Sequence, residues 1–600
     1  MADRLARDRR AVLVALVAIR LVNAWSISTF FQPDEFFQAL EPAWGLAFGT
    51  ATRPWLTWEW HHQLRSSLHP ALFAIAYLVA ETLSSWLPIS LTARTAIIMA
   101  APKLLQAMFA ALGDWYTWQL AVTIYGHEST ASLSVLLLQL FNPWQWYVST
   151  RTFSNSLETT LTAMALYYWP WKLLAPSVHT KENTKPRPDI LGPPSRRRAA
   201  LFLAALAVVL RPTNVLIWAT IILMTLTRLN LSGPFPLTRS SVLALSADAV
   251  LCGGVVLAFS LVSDRLYFGS WTFPPLHWLR FNISHSLAVF YGRNPWHYYI
   301  LQALPLLCTT SLPFALHGLV SPTPSPSTPI DRTNTLRTLS ATVFVTIAIL
   351  SLVSHKEVRF VYPLLPALNI VAAPRATSFF SSLSPASPRR QLRHRPYLVA
   401  GLGLNLCLAG YLSLIHQSAP LAVMAHLRHQ YERLHPLDAH LVPRLPPSIT
   451  DNTNELFALF LMPCHSTPWR SHLVHANLVG YALSCDPPLH TLPGSAERAS
   501  YRDEADRFYD DPPRFLREEL FATGRHPALP APRYVVVFEA VVPIVRRFLF
   551  ETDEGRRLGA TNLTVVWEGF NGFFAEDGRR AGKMMVLDTG IYLDEPVQAR

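Results

Sequence analysis

The sequence predicts a polytopic α-helical membrane protein that ends in a soluble α/β domain. Half of its 600 residues are apolar and 15% are charged, a balance that lipid solvates better than water does. Apolar runs of roughly 20 residues, the length a helix needs to cross about 30 Å of hydrocarbon, recur as far as residue 419. From 420 to 600 Asp, Glu, Arg, His and Pro intersperse, and the runs Tyr534–Phe538 and Leu563–Trp567 read as strands. Many of the 18 Trp residues, among them Trp25, Trp55, Trp144, Trp271 and Trp296, flank span ends as interfacial anchors do.

Taken in order, Arg4, Arg7, Arg9 and Arg10 precede the first span, 11–29, in the charge order of an uncleaved signal anchor. The residues beyond Trp25 then emerge on the far side of the membrane. Further spans are expected at 70–88, 93–112, 115–126, 129–148 and 157–175, with Leu112-Gly113-Asp114-Trp115 read as a far-side turn. The loop 176–198 carries Lys181, Lys185, Arg187, Arg196, Arg197 and Arg198 and belongs to the cytosol. The run 199–228 is broken at Arg211-Pro212 into two half-spans, because proline cannot continue the hydrogen-bond ladder. The remaining spans fall at 241–263, 298–318, 338–354, 360–374 and 397–416, with Arg389, Arg390, Arg393 and Arg395 marking another cytosolic loop and 321–329 a proline-rich connector. About thirteen crossings result, an odd number that puts the C-terminal domain on the side of Asp34. Three segments, 30–69, 264–297 and 354–360, are expected on that side, building one site.

The net charge of +12 is spread over short loops, where it reports orientation; no nucleic-acid partner is expected. Cys252, Cys308 and Cys407 fall in spans, whereas Cys464 and Cys485 fall in the soluble part, where a disulfide and two free thiols are both open readings. Neither Cys nor His spacing matches a structural zinc site, so no metal is assigned. A glycine-rich phosphate loop, a nucleophile elbow and HExxH are all missing from the sequence.

Chemistry concentrates in a few places. Pro33-Asp34-Glu35 with Phe36, Phe37, Leu40 and Trp44 reads as the start of an amphipathic surface helix. Acids there suit the helix dipole with no catalytic duty, but Glu59, His61, His62 and Arg65 share the same long loop. Asp114 and Glu158 are ionisable groups near membrane depth, which are paired or functional; an Arg151–Glu158 pair and a substrate contact are both open. His355, Lys356 and Arg359 in Ser354-His355-Lys356-Glu357-Val358-Arg359-Phe360 could hold a phosphodiester, or snorkel with an internal Glu357–Arg359 pairing. The segment from Tyr267 to Trp296 combines aromatic rings with Arg280 and Arg293, suited to sugar stacking or to anchoring. Sequons stand at Asn282-Ile283-Ser284 and Asn562-Leu563-Thr564.

Together, Pro33-Asp34-Glu35 and His355-Lys356-Glu357-Val358-Arg359-Phe360 resemble glycosyltransferase family 22, the dolichyl-phosphate-mannose-dependent mannosyltransferases of the GT-C superfamily. The resemblance covers most of the chain. Within it, Thr29–Glu41, Leu56-Thr57-Trp58-Glu59-Trp60, Leu461–Trp469 and Cys485-Asp486-Pro487-Pro488 look like the branch that builds glycosylphosphatidylinositol (GPI) anchors. Gln32 stands where many relatives have His. The resemblance implies a GT-C fold and a multi-pass protein of the endoplasmic reticulum membrane. It also implies transfer of a third, α-1,2-linked mannose from dolichyl phosphate mannose to the GPI precursor glycolipid, with inversion and without a cofactor. On that pattern Asp34 is the general base, Glu35 orients acceptor or base, and Lys356 and Arg359 stabilise the departing phosphate. Glu59, Asp114, Glu158, Arg280, Arg293 and His355 complete the expected substrate contacts. A related enzyme of N-glycan assembly, a lipid transporter or scramblase and a non-catalytic scaffold share the span pattern; a transporter would favour ionisable groups near span midpoints, whereas most acids here fall in loops.

Overall fold

The computed structural model describes residues 9–174, 191–229, 231, 238–284, 292–322, 328–384, 387–436, 455–492, 494–522, 529–573 and 577–592. Arg4, Arg7, Lys181, Lys185, Arg187, most of the 321–329 tract and the side chains of Arg389, Arg390 and the Asn282 sequon lie outside the described residues. The chain forms α1 (Arg9–Ser26), α2 (Glu41–Phe48), α3 (Leu68–Ser85), α4 (Leu91–Tyr125), α5 (Thr130–Leu140), α6 (Pro143–Val148), α7 (Ser154–Tyr168), α8 (Pro194–Leu210) and α9 (Val215–Thr227). After these come α10 (Arg239–Phe268), α11 (Pro274–Ser284), the interrupted α12 (Tyr299–Val320), α13 (Ile330–Ser351), α14 (Leu365–Phe380) and α15 (Arg395–Leu414). A short hairpin, β1 (Ser381–Ser384) with β2 (Ser387–Leu392), links α14 to α15.

Two expectations need correction. Spans 93–112 and 115–126 are one helix, α4, with Asp114 in its interior and fully buried instead of at a turn. The glycine that suggested a turn serves a helix crossing: a Cβ on Gly113 would lie 3.0 Å from Thr160 Oγ1 of α7, so Gly lets the two backbones approach. The second correction concerns α3. Six helices among the described residues, α3 included, are long and apolar enough to cross a bilayer, yet the contacts of α3 place it beside the bundle end that carries Asp34. Helix α4 runs antiparallel to α1, with Lys103 donating to the Ile27 carbonyl, Arg20 paired with Asp114, and Val12 and Leu16 packed with Trp118 and Val122. The start of α4 therefore lies at the α1 exit. There Ile98, with Phe73 and Tyr77 of α3, joins an apolar cluster shared with the soluble domain. The opposite face of α3 exposes Ile75, Val79, Leu83 and Trp86, the pattern of a helix lying in a membrane interface.

The break at Arg211-Pro212 falls where the sequence placed it, between α8 and α9. The chain leaves α15 close to where it left α1, since the Ser28 and Phe30 amides donate to the Ser413 and Gln417 carbonyls. It continues through α16 (Ala419–Leu434) into a five-stranded sheet of β3 (Leu456–Leu461), β4 (Gly480–Ala482), β5 (Pro532–Phe538), β6 (Thr564–Gly569) and β7 (Met584–Asp588), ordered β4-β3-β5-β7-β6. Strands β4, β3 and β5 pair in parallel, and β7 is antiparallel to both neighbours. The unbroken apolar run Tyr534–Phe538 reflects burial of both faces. Val535 and Val537 pack with Phe508, Phe515 and Phe548, whereas Tyr534, Val536 and Phe538 pack toward Phe36, Phe37 and Trp44 of the acidic loop. The soluble domain and the loop around Asp34 thus share one core.

Candidate active site

The Asp34 loop begins with Pro33, whose carbonyl accepts from the Phe36 and Phe37 amides to start a π-helical turn, Phe36–Leu40. This turn buries Glu35 and leaves Asp34 part-exposed, its side chain 18% accessible. Arg359 Nη1 donates to Asp34 Oδ2 at 2.5 Å, while its Nε and Nη2 donate to Glu357 at 2.6 and 2.8 Å. Oδ1 of Asp34 takes no hydrogen bond from any described residue. Burial alone pushes the Glu357 carboxyl up, but Arg359 and His355 outweigh it and hold that carboxyl well below the usual carboxylate range.

The three segments expected to build the site meet here. Ser66 and Ser67 donate to Asp264, Trp60 packs on Tyr267, and the Asn294 amide and side chain donate to the Ser354 and Lys356 carbonyls. Glu59 accepts from Arg65 and Gln38, and Asp34 and Arg359 are electrostatic neighbours of that same Arg65. Glu158 accepts from Asn155 and Asn214 at 3.2 and 2.9 Å. Asn155 also donates to the Arg359 carbonyl, so α7 supports the site from below.

Several residues sit differently from their expected surroundings. Arg151 pairs with Glu35 at 2.9 Å instead of with Glu158, and both side chains are 1% exposed. Both oxygens of Asp114 are taken, by Arg20 and by Gln145, which in turn accepts from Tyr362. Lys356 is buried and spends its ammonium on the Asn294 and Val353 carbonyls, at 2.9 and 2.5 Å. Arg280 and Arg293 are exposed. Cys464 and Cys485 are joined in a disulfide, with Cα atoms 5.8 Å apart. Although His465 lies beside them, the joined sulfurs offer no thiolate to a metal.

The disulfide, one of the two open readings of Cys464 and Cys485, shapes a motif whose place at the site the sequence did not show. It holds the segment Leu461–Trp469, from which His465 packs at a tilt against Phe37 and Trp55, with ring centroids 4.3 and 5.0 Å apart, and Trp469 packs on Trp55. Glu41, fully buried in the acidic loop, accepts from the Trp55 and Ser471 amides and bolts the two parts together. Burial pushes His465 down to about 4 and Arg580 adds to this, while nearby Asp34 pulls the other way. A histidine held neutral in the fold but free to protonate when unfolded contributes stability above about pH 6.5 that is lost as pH falls toward 4. Thermal unfolding is expected to show the melting temperature falling across that window in wild type, and less steeply in His465→Phe; parallel curves would refute this.

A part-exposed carboxylate with one oxygen held by arginine and the other left open by the described residues is a place to deprotonate a sugar hydroxyl. The chain belongs to the Alg9-like mannosyltransferase family, whose model matches residues 11–474, and its fold is GT-C. It is 59% identical to GPI mannosyltransferase 3 of Gibberella zeae, over 98% of this chain and 96% of that one. It is 42% identical to GPI mannosyltransferase 3 of Aspergillus fumigatus, over 96% of this chain and 76% of that one. Among solved structures it superposes on ArnT from Cupriavidus metallidurans in the apo state with a TM-score of 0.51, covering 97% of each chain at 11% identity, a likeness of fold.

Proposed function

We propose that this protein transfers the third mannose of the GPI anchor, in α-1,2 linkage, from dolichyl phosphate mannose to the mannose-bearing GPI precursor at the luminal face of the endoplasmic reticulum membrane. The observation that carries this reading is Asp34, part-exposed and oriented by Arg359 through one oxygen only, in a chain so similar over its whole length to GPI mannosyltransferase 3. The acceptor 2-hydroxyl attacks the anomeric carbon of the donor's β-linked mannosyl phosphate. Asp34 Oδ1 takes the hydroxyl proton, the carbon–oxygen bond to phosphate breaks, and dolichyl phosphate leaves with the electron pair. Inversion gives the α product. The leaving group is already a stable anion, so the reaction balances without a cofactor and needs cations more than an acid.

On this reading the chain divides into a membrane domain, 1–419, and a luminal domain, 420–600. The exposed sequon Asn562 tests that side. Glycan occupancy there is expected and a cytosol-accessible Asn562 would contradict it. The activity is tested by removing the protein from its own cell and identifying the GPI intermediate that builds up. A precursor with two mannoses is expected; normal GPI with a truncated N-glycan precursor would assign the protein to the other pathway.

A further inference from the structure

Arg211 was legible in the sequence only as a helix break, yet it is a buried cation whose side chain has no hydrogen-bond or ion-pair partner among the described residues. Its backbone is extended, with φ −142° and ψ 102°, between α8 and the turn Pro212–Asn214, and the side chain is 7% exposed. No described residue accepts a hydrogen bond from its guanidinium or forms an ion pair with it. It rests over the Phe360 ring, 5.2 Å from the centroid, and its electrostatic neighbours are Arg65, Glu158, Arg359 and Asp34. Those neighbours are already engaged: Arg359 with Asp34 and Glu357, Arg65 with Glu59, and Glu158 with Asn155 and Asn214. Lys356, the other cation expected to meet a phosphate, is spent on backbone carbonyls.

A second unpartnered group lies near it. His69, at the start of α3, is buried, its Nε2 has no hydrogen-bond partner, and Arg211 is its charged neighbour. A buried guanidinium and a buried ring nitrogen that both lack a hydrogen-bond partner are costly. An anion with several acceptor oxygens would relieve both, and a planar guanidinium suits a phosphate bidentately.

We infer that Arg211, with His69, binds the phosphate of the lipid-linked sugar donor. The inference rests on the proposed mannosyl transfer for the identity of the lipid. Phosphate on the donor side places the growing negative charge of the leaving group on Arg211 while Asp34, across Arg359, receives the proton.

The test is binding of dolichyl phosphate, of dolichol and of inorganic phosphate to the purified full chain in detergent, for wild type, Arg211→Gln and Arg211→Lys. The advantage of dolichyl phosphate over dolichol is expected to fall about tenfold or more in Arg211→Gln, with Arg211→Lys in between. Inorganic phosphate is expected to bind far more weakly than the lipid. An unchanged advantage in Arg211→Gln overturns the inference, as does an unchanged advantage in Arg211→Lys where the glutamine variant does not fold. In transfer assays the donor KM is expected to rise while the acceptor KM stays within about twofold; a rise confined to the acceptor would assign Arg211 to an acceptor phosphate and refute the donor site. A wild type that binds dolichyl phosphate through Arg211 but transfers no mannose would sink the proposed function and leave the phosphate site standing.

Discussion

Asp34→Asn is expected to lower kcat about a hundred- to ten-thousand-fold, the range lost with a general base, while the protein remains folded in the membrane. The amide keeps the shape and an acceptor oxygen for Arg359, so the fold has little to lose at a part-exposed position. What it loses is the second basic oxygen, the one no described residue occupies. The measurement is single-turnover transfer from dolichyl phosphate mannose beside a melting curve of the same preparation. Turnover near wild type would remove Asp34 as the base, and a collapsed melting temperature would make it a structural residue.

Glu35, the adjacent acid, is expected to behave in the opposite way. Its carboxylate is 1% exposed and held by Arg151. Arg151 also donates to the Thr29 carbonyl and hydroxyl and to the Tyr147 carbonyl, and its guanidinium lies 4.4 Å from the centre of the Tyr147 ring. The carboxylate cannot reach a sugar without leaving that cage. Glu35→Ala strands a buried guanidinium, which costs about 3–5 kcal/mol. The variant is therefore expected to unfold at markedly lower temperature and denaturant. Double replacement of Glu35 and Arg151 by apolar residues should recover part of the loss, because no unpaired charge then remains. Wild-type stability with abolished turnover in Glu35→Gln would make Glu35 a direct participant instead.

The fold was readable where a local rule decided it. Apolar length located most helices, Arg211-Pro212 located a real break, and the run Tyr534–Phe538 announced a strand. Misreadings arose where one signal has two physical causes. Gly113 looks like a turn residue and is a contact point between helices α4 and α7. Leu68–Ser85 has the length of a span, but half of its circumference belongs to the core shared with the soluble domain. The acid and cation clusters of the site stand out in the sequence because charges beside apolar runs are rare. Which cation is free to meet a ligand does not, because that depends on carbonyls and carboxylates brought in from elsewhere. Lys356 and Arg211 show this most clearly: one is an apparent ligand consumed by backbone, the other an apparent helix breaker left unpaired. His465 was equally hidden, since only tertiary packing carries a residue so distant in the chain onto the acidic loop.

The proposed chemistry stands on one carboxylate, at a membrane face, accepting a proton as mannose changes carrier. It is tested most directly by supplying the purified chain with dolichyl phosphate mannose and a two-mannose GPI precursor, then digesting the product with an α-1,2-specific mannosidase. One added mannose, removed by that enzyme and missing when Asp34→Asn replaces the wild type, is the predicted result. A product resistant to the enzyme, or equal transfer by both forms, would contradict it.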